Sequence, residues 1–591
     1  MRDVIVIGAG GGGPVVAKEL AAKGLDVLLL EAGARWPNSE QEWSHFEVNA
    51  NDRAFGFFRF GPADHSKKPW YRDLPQNSGL QQVSGVGGTT LHYFGNCPRA
   101  NAGVFLNYSG ADRDAYDTAH VFPFTYRELI PYYEWVEHTL PVQTAPMGTK
   151  EEFFFRGAER MGLRVQISKD TNGPAYRPQE NAILQPHGTA GISSDSAQLR
   201  YPQAQGCTFC GHCLQGCYQP INAPRNLKAK RSTDNSYVPM ALTAERWTSG
   251  KAATLIADAF VTRINVDSKL EVRGVTWRDG KSGQLVSEES RVVVMAGGAV
   301  ETPRLWLNSG LPNPNDQVGR GFTEHFSDAF TGLMPCYTGN SKGSGSNARA
   351  DFPGYGAIEQ FCGPPAFSAG SSLISDMGIS GFYTNGLPQP NDGADYEGRT
   401  VGKLFKEVMA DIDRILIVIL MTDDDVEAQN RVLQSSQLPA DEHGPVARVE
   451  VHHRSRTPRT MRNREFLARK AVELLRAAGS TKVLRFNFPP TMIHYHSSMR
   501  MGTRIEDSVL DSNGESRWVK RLFAADNSAL ANSLGGMNPT LTTQALATRT
   551  AERIFQLYFG GEPWVERESP VSSIDDQVTH ATINLERRGW F

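Results

Sequence analysis

The amino-acid sequence predicts an α/β fold that opens with a nucleotide-binding unit, and three observations lead to this prediction. Residues 4–8, VIVIG, form a short apolar run typical of a buried strand. The following glycines satisfy G-x-G-x-x-G, and the next segment, PVVAKELAAKG, carries apolar residues at helical spacing. A second apolar run, VLLLEAG, passes through Glu31. Strand, glycine turn, helix, strand and acid in this order are typical of a Rossmann-like dinucleotide-binding unit.

Each conserved feature of such a unit has a physical task that this sequence can perform. Gly8 permits a tight turn, Gly10 lets the backbone approach a pyrophosphate, and Gly13 lets the helix pack close to the strand. The N-terminus of the helix then faces the phosphates. Glu31 can accept hydrogen bonds from both ribose hydroxyls, and its charge would repel the extra phosphate of NADP. We therefore expect FAD or NAD as the dinucleotide.

Composition and charge narrow the class of protein. The chain of 591 residues has 61 basic and 64 acidic residues, and this balance argues against a nucleic-acid-binding protein.

Residues 415–421, ILIVILM, form an apolar run that is too short to span a bilayer, so we expect a buried strand and no integral membrane protein. This run and ARVEVHH, at 447–453, fit a sheet that roofs a pocket. Because the chain opens directly with a fold motif, we expect no export signal of its own.

Four of the seven cysteines are clustered in the spacing C-x2-C-x2-C-x3-C, at Cys207, Cys210, Cys213 and Cys217. The spacing matches the bacterial ferredoxin run, except that Tyr218 replaces the proline. We interpret the cluster as a metal site that holds a 3Fe-4S or 4Fe-4S iron–sulfur cluster, with zinc as a weaker alternative because structural zinc sites draw ligand pairs from separate segments. Disulfides and buried free thiols remain open as alternatives.

Several separated segments resemble the GMC (glucose–methanol–choline) flavoprotein oxidoreductases, and among them the sugar and glucoside dehydrogenases, gluconate dehydrogenase, pyranose oxidase and glycoside 3-oxidases. These segments are residues 8–33, 83–96 (VSGVGGTTLHYFGN), 292–310 (VVVMAGGAVETPRLWLNSG), 318–325 (VGRGFTEH), 494–502 (HYHSSMRMG) and 521–554. The resemblance implies a two-domain flavoprotein, with a Rossmann-like FAD-binding domain and an antiparallel-sheet substrate-binding domain. The FAD-binding domain would cover residues 1–110, 195–330 and 490–560, the substrate-binding domain 111–194 and 331–489, and a C-terminal tail 561–591.

The resemblance also implies which residues contact the cofactor. Gly87, Gly88 and Thr89 would lie along the pyrophosphate and the isoalloxazine ring. His92 aligns with a histidine that is covalently attached to FAD in similar pyranose oxidases, although relatives with this segment also bind FAD without a bond. Asp526 opens a segment that would run beneath the ribityl chain, and it is equally suited to cap the following helix.

The catalytic pair implied by the resemblance is His494 and Asn538. Histidine suits the removal of a hydroxyl proton because its ordinary pKa lies close to neutral pH. Asn538, followed by Pro539 beside the flavin, would hydrogen-bond the substrate hydroxyl and hold it in place. The resemblance selects His494 by its distance from Met501 and Gly502. On a strand, His496 would point to the same face as His494, so strand geometry alone does not separate the two histidines.

The predicted function is FAD-dependent oxidation of an alcohol group on a sugar or glycoside, in which FAD takes the hydride and His494 the proton. Electrons would then pass through the iron–sulfur cluster to an external acceptor such as a cytochrome. The alternative is a cluster-free pyranose or glycoside 3-oxidase that uses oxygen and produces hydrogen peroxide. A flavin protein that only relays electrons, and an NAD-linked dehydrogenase, are weaker alternatives.

The expected partners and location depend on the acceptor. The chain would be cytoplasmic, or periplasmic if a small partner subunit exports the folded enzyme together with its cluster.

Overall fold

The computed structural model describes residues 1–35, 82–185, 206–207, 209–214, 216–217, 228–325, 328–363, 392–398, 402–452, 456–486 and 491–589, and the short strand segments at 59–60, 70–71 and 79–80. The α-helices are α1 (Gly13–Ala22), α2 (Tyr126–Thr139), α3 (Thr149–Arg160), α4 (Tyr237–Leu242), α5 (Ala244–Trp247), α6 (Gly298–Asn308), α7 (Gly402–Ala410), α8 (Pro458–Ala478), α9 (Thr540–Phe559) and α10 (Asp576–Arg587). The strands are β1 (Arg2–Ile7), β2 (Val27–Leu30), β3 (Arg59–Phe60), β4 (Trp70–Tyr71), β5 (Gly79–Leu80), β6 (Gln143–Thr144), β7 (Arg164–Val165), β8 (Ala175–Pro178), β9 (Glu180–Asn181), β10 (Thr254–Ile256), β11 (Ala259–Val266), β12 (Val272–Asp279), β13 (Leu285–Met295), β14 (Ala329–Leu333), β15 (Ala348–Phe352), β16 (Gly356–Phe361), β17 (Tyr396–Gly398), β18 (Ile415–Thr422), β19 (Arg431–Gln434), β20 (Ala447–Glu450), β21 (Lys482–Phe486), β22 (Thr491–Met492) and β23 (Leu522–Ala524).

The first large sheet contains the predicted nucleotide-binding unit. Its strand order is β10-β2-β1-β13-β12-β11, with β23 paired to β13. Strands β10, β2, β1, β13 and β23 pair in parallel, and β11 and β12 extend the sheet as an antiparallel meander. All four residues of β2 and the last four of β1 are buried, as expected for parallel strands that are covered on both faces. The predicted order of strand, glycine turn, helix and strand is therefore confirmed.

The second large sheet has eight strands in the order β17-β21-β14-β18-β16-β15-β8-β7, and most neighbours are antiparallel. Helices α3 and α8 pack against it, and their apolar side chains join those of the sheet in one core. The apolar run 415–421 lies in β18, between β14 and β16, as the sequence predicted. The prediction for 447–453 was wrong, because residues 447–450 form β20 in a separate ribbon with β19. The apolar side chains of β20, among them Val449, pack with Val300 of α6 instead.

Helix α9 connects the first sheet to the site. It begins at Thr540, directly after Asn538 and Pro539, and it packs against both α1 and α2. The contact with α2 includes a hydrogen bond of 3.0 Å between the hydroxyls of Tyr133 and Thr542. The two residues that precede α9 are thus attached to the same helical layer that carries the glycine turn.

The C-terminal segment, expected as a tail, contains helix α10. This helix buries Val578 and Ala581 and packs against α4 and α5. The boundaries that the sequence suggested for the two domains stay a prediction. Within the described parts of the chain, none of the helices combines the length and the apolar character that a bilayer crossing requires.

Candidate active site

A large cavity lies between the first sheet and the inner face of the second sheet. We call the side formed by residues 8, 10–12, 84 and 88–90 the cofactor wall, and the side formed by Glu359, Met421, His494 and Asn538 the catalytic wall. Most of the residues that the sequence assigned to the cofactor line this cavity: Gly8, Gly10, Glu31, Gly88, Thr89, His92, Asp526, Asn538 and Pro539. Gly13 and Gly87 lie behind the cofactor wall and shape it through their backbone.

Gly13 brings α1 close to β1, as the sequence predicted. A Cβ atom at this position would lie 1.9 Å from the carbonyl oxygen of Gly8, so a larger residue cannot be accommodated without moving the turn. Pro14 follows in the first turn of α1, where its missing N–H costs nothing. The N-terminus of α1 is thereby aimed at the cavity, in the geometry that binds phosphate.

The two glycine segments meet at their backbones. A Cβ atom at Gly88, whose φ is +50°, would lie 2.6 Å from the Cα atom of Gly10. The Gly87 N–H donates to the carbonyl of Ala9 at 2.8 Å. Two buried threonines complete the junction: the Thr233 hydroxyl lies 3.0 Å from the Gly10 carbonyl and 3.1 Å from the Thr90 hydroxyl. The sequence reasoning missed both threonines: it passed over Thr90 within the second glycine segment, and Thr233 belongs to no motif.

Glu31 is held by three backbone amides at the end of β2. One carboxylate oxygen accepts from Ala9 at 2.7 Å, and the other accepts from Gly33 at 2.8 Å and from Gly85 at 3.0 Å. Burial raises the pKa of Glu31, whereas these three hydrogen bonds act to lower it. Because a carboxylate has about four acceptor positions, one remains for a ligand hydroxyl. Its predicted contact with ribose stays a prediction.

Asp526 caps two helix starts at once. One of its oxygens accepts from Ser528 N–H at 2.7 Å, at the start of the short 3-10 helix Asn527–Ala529. The other accepts from Gly298 N–H at 2.8 Å and from the Thr302 hydroxyl at 2.6 Å, in the first turn of α6. The capping interpretation is therefore confirmed, and the residue also lines the cavity.

His494 lies on the catalytic wall, half-buried, and its ring is hydrogen-bonded on one side only. Its Nδ1 atom is 3.2 Å from Nδ1 of His325, and Nε2 has no hydrogen-bond partner among the described residues. Burial, then the neighbouring His325 and Arg349, hold the pKa of His494 well below 6.5. The side chain is therefore neutral at neutral pH and can accept a proton.

His496 is separated from His494 by the local backbone. Strand β22 ends at Met492 and the chain bends at residues 493–494, so this segment is not a regular strand with two histidines on one face. His496 is fully buried, lies outside the lining of the cavity, and contacts the Ser497 hydroxyl at 3.1 Å through Nδ1. Tertiary structure thus distinguishes two histidines that strand geometry alone does not.

Asn538 is oriented by a buried ion network that the sequence reasoning missed. Its Oδ1 atom accepts from Arg349 at 3.0 Å, and its Nδ2 atom lies 3.5 Å from Glu359. Arg349 is completely buried and pairs with Glu359 at 3.0 Å and with Asp351 at 2.8 Å. Arg177 also pairs with Asp351, so charges from three neighbouring strands, β8, β15 and β16, support the side chain that faces the cavity.

Comparisons with known proteins agree with this arrangement. Two sequence models of the GMC oxidoreductase family match the chain, one over residues 172–327 and the other over residues 414–547. The chain belongs to the GMC oxidoreductase family. Members of this family bind FAD and act on CH–OH groups, and the residues of this GMC chain fit FAD: the facing glycines keep the cofactor wall free of side chains where a pyrophosphate approaches.

Several curated relatives of this GMC chain cover nearly its whole length. Paromamine 6'-oxidase of Streptomyces fradiae is 26% identical over 93% of this chain and 91% of the relative. The fructose dehydrogenase large subunit of Gluconobacter japonicus is 24% identical over 93% of this chain and 97% of the relative. A solved structure of formate oxidase from Aspergillus oryzae RIB40 shares the fold, with a TM-score of 0.57, 12% identity, and coverage of 95% of this chain and 99% of that chain.

The cysteine loop of this GMC enzyme, residues 207–217, touches the cofactor cavity. Leu214 lines the cavity, and its carbonyl accepts from His92 Nδ1 at 2.7 Å. Lys230 attaches the loop to the second glycine segment, because its ammonium donates to the carbonyls of Cys213 and Leu91, each at 2.7 Å. Burial lowers the pKa of His92 to about 3 and that of Lys230 to about 8. His92 is therefore neutral and donates to the loop.

The thiols of this loop do not form a metal-binding group as they are placed. All seven cysteines are unbridged. In the described part of the chain, no three side chains of His, Cys, Asp or Glu are arranged to hold a metal ion. Burial raises the pKa of Cys207 and Cys213 and raises that of Cys210 to about 11. The geometry therefore lends no support to the predicted iron–sulfur cluster, and disulfides do not occur here either.

Proposed function

We propose that the protein oxidises an alcohol group of a sugar or glycoside, with FAD as cofactor, His494 as the base and Asn538 as the residue that holds the reacting hydroxyl. The observation that carries this proposal is the position of His494. His494 lines the cavity whose opposite wall is built from the two glycine segments, and its Nε2 has no hydrogen-bond partner among the described residues. When bound, FAD accepts the hydride that leaves the alcohol carbon.

The protein's own residues supply the proton transfer and the positioning. The neutral imidazole of His494 accepts the hydroxyl proton. Asn538 keeps its Oδ1 engaged with Arg349, so its amide nitrogen can donate to the substrate oxygen. Holding the hydroxyl between a base and a donor fixes the carbon in front of the cofactor wall.

A polyhydroxylated substrate fits the polar end of the catalytic wall. Asn96 and Glu359 line the cavity beside Asn538, and the Asn96 amide lies 3.4 Å from the Glu359 carboxylate. These groups can hydrogen-bond further hydroxyl or amino groups of a sugar. The names of two relatives, paromamine 6'-oxidase and fructose dehydrogenase large subunit, support a carbohydrate in preference to a simple alcohol.

For the electron acceptor, we propose that an iron–sulfur cluster on the cysteine loop passes electrons to an external acceptor such as a cytochrome. In that case a small partner subunit would export the enzyme to the periplasm. Support comes from the contact of Leu214 with the cavity and from nearby cations: Lys150 and Lys230 act electrostatically on Cys213, and Arg231 acts on Cys217. Positive charge favours an anionic cluster. Cluster binding would require the thiols to converge from their present positions.

The second candidate is a cytoplasmic oxidase without a cluster, which produces hydrogen peroxide. It is favoured by the raised pKa of Cys207, Cys210 and Cys213, which keeps these thiols protonated, since metal ligands must be thiolates. The name of the relative paromamine 6'-oxidase also supports it.

The first experiment is anaerobic reduction of the purified holoenzyme by D-glucose, D-fructose, methyl β-D-glucoside and paromamine, with 1-octanol as the control alcohol. We expect at least one carbohydrate to bleach the flavin absorbance, and no bleaching by 1-octanol. Bleaching by 1-octanol alone would contradict the proposed substrate class, and a protein purified without flavin would contradict the proposed function altogether.

Iron and acid-labile sulfide, measured on protein purified without air, distinguish the two acceptors. About three or four irons per chain support the dehydrogenase. A flavin protein without iron that consumes oxygen in the presence of the sugar supports the oxidase.

A further inference from the structure

His325 lies directly behind His494, on the side away from the cavity. It ends the segment GFTEH and is buried, with 3% of its surface exposed. The two imidazole rings meet edge to face, with centroids 5.1 Å apart, and their Nδ1 atoms are 3.2 Å apart. The other nitrogen of His325, Nε2, is 2.9 Å from the carbonyl oxygen of Ser533.

These contacts determine where the protons are. A carbonyl oxygen only accepts hydrogen bonds, so Nε2 of His325 must carry a hydrogen. Burial lowers the pKa of His325 to about 4, so the ring is neutral at neutral pH and its Nδ1 atom carries a lone pair. The contact between the two Nδ1 atoms is then a hydrogen bond only if Nδ1 of His494 carries the hydrogen. A neutral His494 therefore has its lone pair on Nε2.

The carbonyl of Ser533, which accepts the hydrogen bond from His325, is firmly held by its surroundings. The Ser533 hydroxyl is bonded to the carboxylate of Asp423 and lies 2.8 Å from the carbonyl of Asp424. Asp423 in turn is paired with Arg459. The Ser533 carbonyl thus has a fixed position from which it selects the tautomer of His325.

We propose that His325 is a positioning residue that holds His494 in the tautomer with its hydrogen on Nδ1 and its lone pair on Nε2, facing the substrate. This inference rests on the proposed function and adds to it the residue that prepares the base. In the reaction, the O–H bond of the alcohol breaks and an Nε2–H bond forms, while the hydride leaves the same alcohol for FAD, so that a carbonyl product remains. The imidazolium of His494 continues to donate through Nδ1 to neutral His325, in a stronger, charge-assisted hydrogen bond.

The test compares two side chains of similar size at position 325. In His325→Asn, the amide oxygen can take the place of Nδ1 and accept from His494. In His325→Leu, no acceptor remains, and the ring of His494 is free to take the other tautomer. We expect the rate of anaerobic flavin reduction to fall on the order of 10-fold to 100-fold in His325→Leu, and to fall much less in His325→Asn.

Two further measurements distinguish positioning from a merely structural role. The first is the same substitution in a His494→Ala background, where His325→Leu should cause no additional loss if it acts only through His494. The second is the pH profile of flavin reduction: its acid limb should move in His325→Leu and stay in place in His325→Asn. The charged or titratable groups that also face the two rings are Arg349 and His496, and both are present in all variants.

The outcomes separate this inference from the proposed function. Wild-type enzyme that no sugar of the panel reduces would contradict the function itself. Wild-type enzyme that is reduced, with His325→Leu equally fast, would overturn the inference alone. Equal losses in His325→Asn and His325→Leu, with unchanged flavin content and melting temperature, would also overturn it, because the acceptor would then have no effect.

Discussion

The two walls of the cavity are built on different physical principles. The cofactor wall consists largely of backbone, since Gly8, Gly10 and Gly88 present no side chains and the main chains of Gly10 and Gly88 lie close together. The catalytic wall consists of side chains from four distant segments, and its polar groups are supported by the completely buried Arg349. A wall of backbone needs small residues in local patterns, whereas a wall of side chains needs long-range partners. The first can therefore be recognised in a sequence, and the second only in the folded chain.

The largest expected effect is the loss of the base from the catalytic wall. His494→Ala should slow flavin reduction by the sugar on the order of 10²-fold to 10⁴-fold, because no other described group at that position can accept the hydroxyl proton. Stopped-flow absorbance of the flavin measures this rate. The flavin content should stay at the wild-type level, since the cofactor wall is untouched. Retained turnover with full flavin would assign the base to another residue.

The next effect concerns the support of the catalytic wall. Arg349→Leu removes the partner of two buried carboxylates, Asp351 and Glu359, and should lower the free energy of unfolding by about 3–5 kcal/mol. Denaturant titration followed by circular dichroism measures this change. The matched control is Arg469→Leu, which removes an exposed ion pair with Glu465. It should lower the free energy of unfolding by at most about 0.5 kcal/mol. Equal costs for the two substitutions would contradict a special role of the buried network.

Acid should destabilise the catalytic wall more than the cofactor wall. Three histidines in or behind this wall, His325, His494 and His496, have pKa values lowered by burial, whereas in the unfolded chain they return to 6.5. The unfolded chain therefore binds more protons below pH 6.5, and stability is lost as the pH falls towards the folded pKa. Each such histidine contributes about 1.4 kcal/mol per pH unit in this range. Buried carboxyl groups with a raised pKa, such as Glu324 at about 8, act in the opposite direction.

The comparison of wild type with His325→Asn isolates the contribution of one histidine. The free energy of unfolding, measured at about pH 7 and about pH 5, should depend less steeply on pH in the variant. Parallel pH dependences would show that His325 is not buried in the neutral form.

The smallest effects separate the tasks of two glycines at the cofactor wall: Gly13 allows close packing, and Gly10 leaves room for the cofactor. Gly13→Ala places a Cβ atom 1.9 Å from the Gly8 carbonyl oxygen and should cost about 1–3 kcal/mol of stability. Gly10→Ala meets its nearest heavy atom only at 3.9 Å, so the fold should keep its stability within about 0.5 kcal/mol while the added methyl group in the cavity weakens FAD binding. Flavin content and thermal unfolding measure the two effects. The reverse pattern would mean that the two glycines have been assigned the wrong tasks.

The sequence by itself determined the cofactor half of this protein. Local patterns of one or two segments predict the glycine turn, the succession of strand, helix and strand around it, Glu31 and the N-capping Asp526. Such patterns depend on backbone geometry that neighbouring residues impose. Membership of the GMC family followed from motifs of the same kind. The cysteine spacing shows the limit of this reasoning, because correct spacing does not bring the described thiols together as a ligand set.

Only the tertiary structure decided how the catalytic wall works. His494 and His496 are two residues apart, and because the strand ends at Met492 and the chain then bends, one lies on the cavity and the other in the interior. His325 was visible at the end of GFTEH, but its contact with His494 joins residues 169 positions apart. Arg349 reaches Asn538 across 189 positions. Burial, hydrogen-bond direction and tautomer are properties of the assembled surroundings of a side chain, and no local pattern in the sequence contains them.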